Sequence, residues 1–256
     1  MKEFKDIFDH KKAFIAYLTA GQVSLSNTEK SAHALVQAGV DILEIGLPFS
    51  DPIADGPVIQ DAMFQSLKNK NTIDDVFLSI SNIKEKTRVP IVLFTYLNPL
   101  LAYGFESVAV QAHKAGINSF LIVDLPLEHA KEYQNILRKN NIDMVGLISP
   151  TTNKQRVINI DKNVNSFLYY ACRNGTTGVR HSMPLNYNEK VINIKSVTNN
   201  PLVCGFGIGS KSLARQAIQY ADGFVVGSAF VGAISRGAGI KELKKMAKNI
   251  DPRGAK

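Results

Sequence analysis

The sequence predicts one α/β domain over residues 1–256, a (β/α)₈ barrel, and three observations predict it. Eight short apolar runs bounded by turn residues recur at regular spacing, as buried parallel strands do. Segments with helical apolar periodicity lie between them, and strand alternating with helix means parallel βα units. The length of 256 residues is the usual one for eight such units. No Gly-x-Gly-x-x-Gly opens a helix after the first run, which disfavours an open dinucleotide-binding sheet.

The eight strands are read, in order, from AFIAYLTAG at Ala13, DILEIGL at Asp41, PIVLFTY at Pro90, SFLIVDL at Ser119, DMVGLIS at Asp143, SFLYYAC at Ser166, LVCGFGI at Leu202 and GFVVGSA at Gly223. TEKSAHALVQAG, ESVAVQAHKAG, LEHAKEYQNILRKN and SLARQAIQYADG have the apolar spacing of intervening helices. Ala38-Gly39-Val40, Ala115-Gly116-Ile117 and Ala221-Asp222-Gly223 read as helix stops followed at once by a strand. Pro48, Pro52, Gly56 and Pro57 make 49–57 a shaped loop. RNGTTGVRHSMPLNY, after the sixth strand, is longer and more polar than the other connections and suits a mobile lid.

Composition is that of a globular protein, 45% hydrophobic and 20% charged. The start, MKEFKDIFDHKKAF, has no continuous apolar segment, and no run of 18 apolar residues occurs. A cytoplasmic protein is expected. The net charge of +8 comes from lysines scattered over helical faces, without a basic block or an aromatic RNA-binding signature. Nucleic acid is therefore disfavoured, whereas attraction of a phosphate ester fits. Cys172 and Cys204 lie in apolar runs without ligand-like spacing and are read as buried thiols.

In a barrel of this kind the active site lies where strands end. The residues there are Thr19, Glu44, Asp51, Asp55, Tyr96, Asn98, Asp124, Ser149, Tyr169, Arg173, Gly205, Gly207, Gly227 and Ser228. No strand carries lysine, and Lys154 and Lys211 fall at helix starts, so Schiff-base chemistry is disfavoured. The five histidines fall on helices or loops, so no metal is expected. Acid and base work by carboxylates remains. Glu44 ranks first, because an acid inside an apolar strand is costly unless it has a task. Asp55, in Ala-Asp-Gly-Pro, reads equally as a second acid or as a turn residue bonding its own backbone. Asp51 precedes a proline and reads more strongly as a turn residue, and Asp124 reads as a cap or closure of the fourth unit.

CGFGIGS and VGSAF put glycines and serines after strands seven and eight, where backbone N–H groups and a short helix from Ser228 can grip a phosphate. Each glycine taken alone serves barrel closure equally well, and their joint position favours the anion. Tyr17, Tyr96, Tyr169 and Phe206 are candidates for a flat apolar pocket or plain core filling, depending on strand parity.

Taken together, LEIGLPFSDPIADGP, the GTTG of the lid segment, GFGI and VGSA occur in an order that closely resembles the α subunits of tryptophan synthase over essentially the whole chain. The resemblance implies a cofactor-free lyase that cleaves indole-3-glycerol phosphate to indole and glyceraldehyde 3-phosphate. It implies Glu44 as general acid/base and Asp55 as partner of the indole N–H; a Glu in an apolar wall is expected to have a raised pKa, and Asp55, on a wetter loop, to stay ionised. It implies Gly178, Phe206, Gly207, Gly227 and Ser228 around the phosphate, Tyr17, Tyr169 and Phe206 beside the indole, and Thr177 latching the lid to Asp55. It further implies a β subunit carrying pyridoxal phosphate in an αββα assembly, met through Asp51, Pro52, Asn98 and Pro99. An activating subunit with weak catalysis of its own is the alternative, and a sugar-phosphate isomerase a third. Cys172, Asn174-Gly175-Thr176 and Phe94 depart from the family's usual residues.

Overall fold

The computed structural model describes residues 2–172, 182–205 and 207–254. One parallel sheet holds β1 (Ala13–Thr19), β2 (Ile42–Gly46), β3 (Ile91–Thr95), β4 (Ser119–Ile122), β5 (Asp143–Met144), β6 (Gly146–Ile148), β7 (Leu168–Ala171), β8 (Leu202–Gly205) and β9 (Gly223–Val226). Its order is β5-β4-β3-β2-β1-β9-β8-β7-β6. The two ends of that order, β5 and β6, are one stretch of chain interrupted only at Val145, so the nine segments are the eight predicted strands. The Val145 amide donates to Phe120 O (2.8 Å) beside β4, and the Gly146 amide donates to Phe167 O (3.1 Å) beside β7. The fifth strand thus leaves one neighbour and joins the other, which nearly closes the ring.

Around the ring run α1 (Lys2–His10), α2 (Leu25–Gln37), α3 (Pro57–Lys68), α4 (Ile73–Lys86), α5 (Leu97–Tyr103), α6 (Phe105–Lys114), α7 (Leu127–Lys139), α8 (Lys154–Asn163), α9 (Tyr187–Lys195), α10 (Lys211–Ala217), α11 (Ser228–Ser235) and α12 (Ile240–Ile250). Pro57, expected in the preceding loop, is instead the first residue of α3. A helix's first amide has no intrahelical acceptor, so proline loses nothing there. The charged start of the chain folds as α1, with Phe4 buried and Ile7 and Phe8 partly buried on one side. Phe4 and Phe8 close the barrel floor against Phe167, at ring distances of 5.6 and 5.7 Å. None of the described helices is long and apolar enough to cross a membrane.

Strand alternation divides the apolar side chains into two cores. Phe14, Ala16, Leu18, Leu43, Ile45, Ile91 and Leu93 face the helices. Ala13, Ile15, Tyr17, Ile42, Val92 and Phe94 fill the barrel. Gly39 (φ +106°) and Gly116 (φ +80°) end their helices as the sequence suggests, in backbone territory that favours glycine. The third junction works differently. Asp222, just before β9, accepts the Leu202 amide at the start of β8 (2.9 Å). Asp41, before β2, likewise accepts the Phe14 amide of β1 (2.9 Å), and Asn118, before β4, the Ile91 amide of β3 (2.8 Å). The same device ties three strand starts to a neighbour.

Candidate active site

Register decides where Glu44 points. It pairs with Tyr17 of β1 and Val92 of β3, both barrel-filling residues, so its carboxyl turns inward. It is 1% exposed, and Oε1 has no hydrogen-bond partner among the described residues. Burial alone raises its pKa to about 8, since a carboxylate without donors is worse placed there than a neutral acid.

Asp55 reaches the same space from the loop after β2. That loop is fixed by its own backbone: the Leu47 amide donates to Phe94 O (2.9 Å), Ile53 to Asp51 O (2.9 Å) and Asp55 to Pro52 O (3.0 Å). Gln60 Nε2 of α3 holds the Asp55 carbonyl at 2.8 Å. Asp55 is not in the wetter setting expected: the residue is 0% exposed, and Oδ1 is a second buried oxygen without a partner among the described residues. Burial raises its pKa, and a hydrogen bond from the Tyr96 hydroxyl to Oδ2 (2.7 Å) opposes the rise, leaving it near 6. That hydroxyl in turn accepts the Ala54 amide (3.1 Å). The two acids therefore stay apart in proton affinity, but through unequal satisfaction inside the protein rather than through water.

Two tyrosines furnish flat walls, and glycines on neighbouring strands make room for them. A Cβ at Gly46 would stand 2.1 Å from the Tyr17 hydroxyl, and one at Gly205 would stand 1.9 Å from that of Tyr169. Gly205 thus serves Tyr169's phenol. Tyr17 meets Phe94 edge-on at 5.1 Å, with its hydroxyl 3.3 Å from Thr19 Oγ1. Beside Tyr17 lies the start of α11, where a Cβ at Gly227 would stand 3.3 Å from that of Tyr17. Gly227 caps it without a side chain, and its carbonyl accepts the amides of Phe230 (2.9 Å) and Val231 (3.1 Å). Helix geometry leaves the Ser228 and Ala229 amides without intrahelical acceptors, at the positive end of the helix dipole. Gly207, at φ +92°, brings backbone close on the adjacent side.

Glu44, Asp55, Tyr17, Tyr169, Gly207, Gly227 and Ser228 line one cavity, with about 460 Å³ of unfilled space including its open mouth. Tyr96 is not on that wall but stands behind Asp55. Thr177, Gly178 and Phe206, with Arg173 and the 174–176 segment, lie outside the described residues. Phe94, Ile59, Ile208, Val225 and Ala229 complete the lining. Of these five the sequence marked only Phe94, as a departure from the family's usual residues; alternation along β3 puts it on the barrel face with Val92, whereas Ile59, on the first turn of α3, carried no signal of its own. Asp124 caps the start of α5, accepting the Leu97 amide at 2.8 Å. Lys154 and Lys211 open α8 and α10, as expected. Of the four expected partner contacts, Asp51 and Asn98 are exposed and Pro99 half-buried. Pro52 is buried, and its carbonyl shapes the loop.

The family model described as tryptophan synthase alpha chain matches residues 4–253. A tryptophan synthase alpha chain of Coxiella burnetii is 44% identical over 252 residues, covering 98% of each chain. One from Chlamydia caviae is 39% identical over 258 residues, covering 99% of this chain and 100% of its own. Among solved structures, that of the tryptophan synthase α2β2 complex of Pyrococcus furiosus matches with a TM-score of 0.88 at 33% identity, over 94% of this chain and 98% of that one. The tryptophan synthase subunit alpha of Legionella pneumophila matches with a TM-score of 0.86 at 32% identity, over 97% and 95%.

Proposed function

Because the chain belongs to the tryptophan synthase alpha chain family, we propose that its barrel mouth cleaves indole-3-glycerol phosphate to indole and glyceraldehyde 3-phosphate through Glu44 and Asp55. The observation that carries this is the pair of buried carboxyl oxygens that have no partner among the described residues, on groups that line one cavity from a strand and from its adjoining loop. Unpaired buried polar atoms are rare in folded proteins. Two of them in one cavity with a helix start are groups waiting for a substrate.

The chemistry follows from their unequal proton affinities. The bond to be broken joins an aromatic ring carbon to the glycerol chain, and that carbon leaves well only once protonated. Glu44, with a pKa near 8, holds a proton at neutral pH and gives it to the ring carbon. The bond then breaks, its electrons restore the indole ring, and the adjacent hydroxyl yields its proton to the Glu44 carboxylate as the carbonyl forms. Asp55, with a pKa near 6, is ionised at the same pH and accepts the indole N–H, stabilising the positive charge of the protonated ring. The walls of Tyr17, Phe94 and Tyr169 suit a flat bicycle. The free amides of Ser228 and Ala229, with Gly207 and Gly227, suit the phosphate. In the same reading Thr177 and Gly178 close the lid and Phe206 lies beside the ring.

The partner is a β subunit in an α2β2 complex, and pyridoxal phosphate belongs to that subunit, so no step above uses it. Docking is supported by a surface groove that joins the exposed Ile53 and Phe64 to Asp51, an apolar patch of the kind that marks interfaces. Residues 1–256 act as one domain in the cytoplasm. Indole release from indole-3-glycerol phosphate by the purified chain, with and without a β subunit, tests the assignment. Turnover is expected in both cases, and sustained turnover by Glu44→Gln would overturn it.

A further inference from the structure

Gln22 lies outside the cavity, on the turn between β1 and α2, and is only 6% exposed. Its Nε2 donates to two groups of α11: Val231 O at 3.1 Å and Ser235 Oγ at 2.6 Å. Its Oε1 has no partner among the described residues. Turning the amide over would set that oxygen against the Val231 carbonyl, so the donors fix its orientation.

The same turn is bound on its other side to α3. Asn69, which caps the C-terminus of α3, donates to Gly21 O (3.1 Å) and Val23 O (3.2 Å), and Asn71 donates to Gly21 O (3.4 Å). Gly21, at φ +70°, admits no side chain, since a Cβ would stand 2.1 Å from Asn71 Nδ2. The Ala20 amide ties the turn to Gly46 O at the end of β2 (3.0 Å). Residues 20–24 therefore join three elements: the end of the Glu44 strand, the helix that follows Asp55, and the helix whose first residues line the cavity with both acids.

We propose that Gln22 is a positioning residue, the link by which this turn sets α11 at a fixed span from Asp55. The proposal rests on the reading of the α11 start as the phosphate grip. α11 has eight residues, a rod of about 12 Å at 1.5 Å per residue. Gln22 holds it at its fourth and last residues, so a shift there carries through to Ser228. Oriented hydrogen bonds to an anion weaken steeply with misplacement. Loss of the link should therefore loosen the phosphate end of the substrate and leave the indole end alone.

The test uses the full chain with inorganic phosphate and indole as separate competitive probes of indole-3-glycerol phosphate cleavage. Gln22→Leu keeps the volume and drops both bonds; it should raise the phosphate inhibition constant and KM together by about tenfold, given the usual worth of a hydrogen bond. The indole constant should stay put and kcat should move by less than about twofold, because the acids are untouched. Ser235→Ala drops one bond and should raise the phosphate constant about threefold. Combining the two should add nothing to Gln22→Leu alone. A Gln22→Leu chain with unchanged phosphate constant and KM, or with phosphate and indole weakened alike, overturns the link whatever its melting temperature. If Gln22→Leu fails to fold, Ser235→Ala decides by the same phosphate-against-indole comparison. A parent chain that neither binds phosphate nor releases indole removes the reading of the mouth and the link with it. An active parent with a phosphate-neutral Gln22→Leu removes only the link.

Discussion

The two ends of this barrel treat buried and half-buried carboxylates in opposite ways. At the floor, Asp41 meets Lys11, Arg253 and the Phe14 amide. Asp161 meets the amides of Asn199 (2.9 Å) and Asn200 (3.0 Å) and the Asn200 side chain (3.0 Å). Asp222 meets Lys195 (2.6 Å) and the Leu202 amide (2.9 Å). Each of these acids has donors on both oxygens, and each set includes a backbone amide at or near the start of a strand. At the mouth, Glu44 and Asp55 are at least as buried, yet among the described residues each keeps an oxygen without a donor. On the proposed roles, burial does not separate a working acid from a structural one; satisfaction does.

The largest effect expected from breaking that contrast is on chemistry. Glu44→Gln keeps the shape and removes the proton, and should lower indole release by about 10³-fold, within the usual range for a lost acid/base. The circular dichroism spectrum should not change. The same substitution should also alter the pH dependence of stability. Glu44 is raised from 4.5 to about 8 in the folded chain. Between those values the unfolded chain has released a proton that the folded chain still binds, so stability falls as pH rises through the window. The slope is at most about 1.4 kcal/mol per pH unit. Below pH 4.5 the acid is neutral in both states and the contribution is flat. Glu44→Gln should flatten this part of the curve and leave the variant more stable than the parent above pH 8. Urea midpoints at pH 5 and pH 8 check it, and an unchanged slope would mean that Glu44 has a donor after all.

The floor predicts the converse. Asp41→Ala should cost about 2–3 kcal/mol of stability, the usual worth of charge-assisted hydrogen bonds whose partners are then left behind. KM and kcat should stay near the parent's, because the change lies at the opposite end of the strands. A denaturant midpoint with steady-state kinetics on the same preparation gives both numbers. Loss of activity without loss of stability would contradict the division between the ends.

How much of this was legible in the sequence follows from the physics of each signal. Alternation of apolar runs and breakers is local, so eight strands and the barrel could be read directly. An acid in an apolar strand is also a local anomaly, and it marked Glu44. Pro57 and α1 were misread or passed over because the local cue was ambiguous: proline both breaks and opens helices, and charge hides a three-residue apolar face. The state of Asp55 was not legible at all. A turn sequence looks wet, and only Tyr96, 41 residues away, with the close packing around it, makes the carboxyl dry. Gly46 and Gly205 belong with Asp55 here. Their task is to leave space for a phenol on the next strand, which a linear sequence does not display.

The smallest expected effect is the sharpest on the mouth itself, because among the described residues Tyr96 is the one side-chain donor that sets Asp55 apart from Glu44. With Asp55 ionising near 6 and Glu44 near 8, kcat/KM should rise and fall around an optimum between those values. The acid limb belongs to Asp55 becoming a carboxylate, and the basic limb to Glu44 losing its proton. Tyr96 lowers the Asp55 pKa by donating to Oδ2. Tyr96→Phe removes that donor, so the Asp55 pKa rises and the acid limb moves toward Glu44's, narrowing the bell from its acid side only. Activity at pH 7 should fall about three- to tenfold, in line with one lost hydrogen bond to a charged group, and recover partly near pH 8. A uniform loss at every pH would assign Tyr96 to packing, and a shift of the basic limb would mean that the two acids have been given each other's roles.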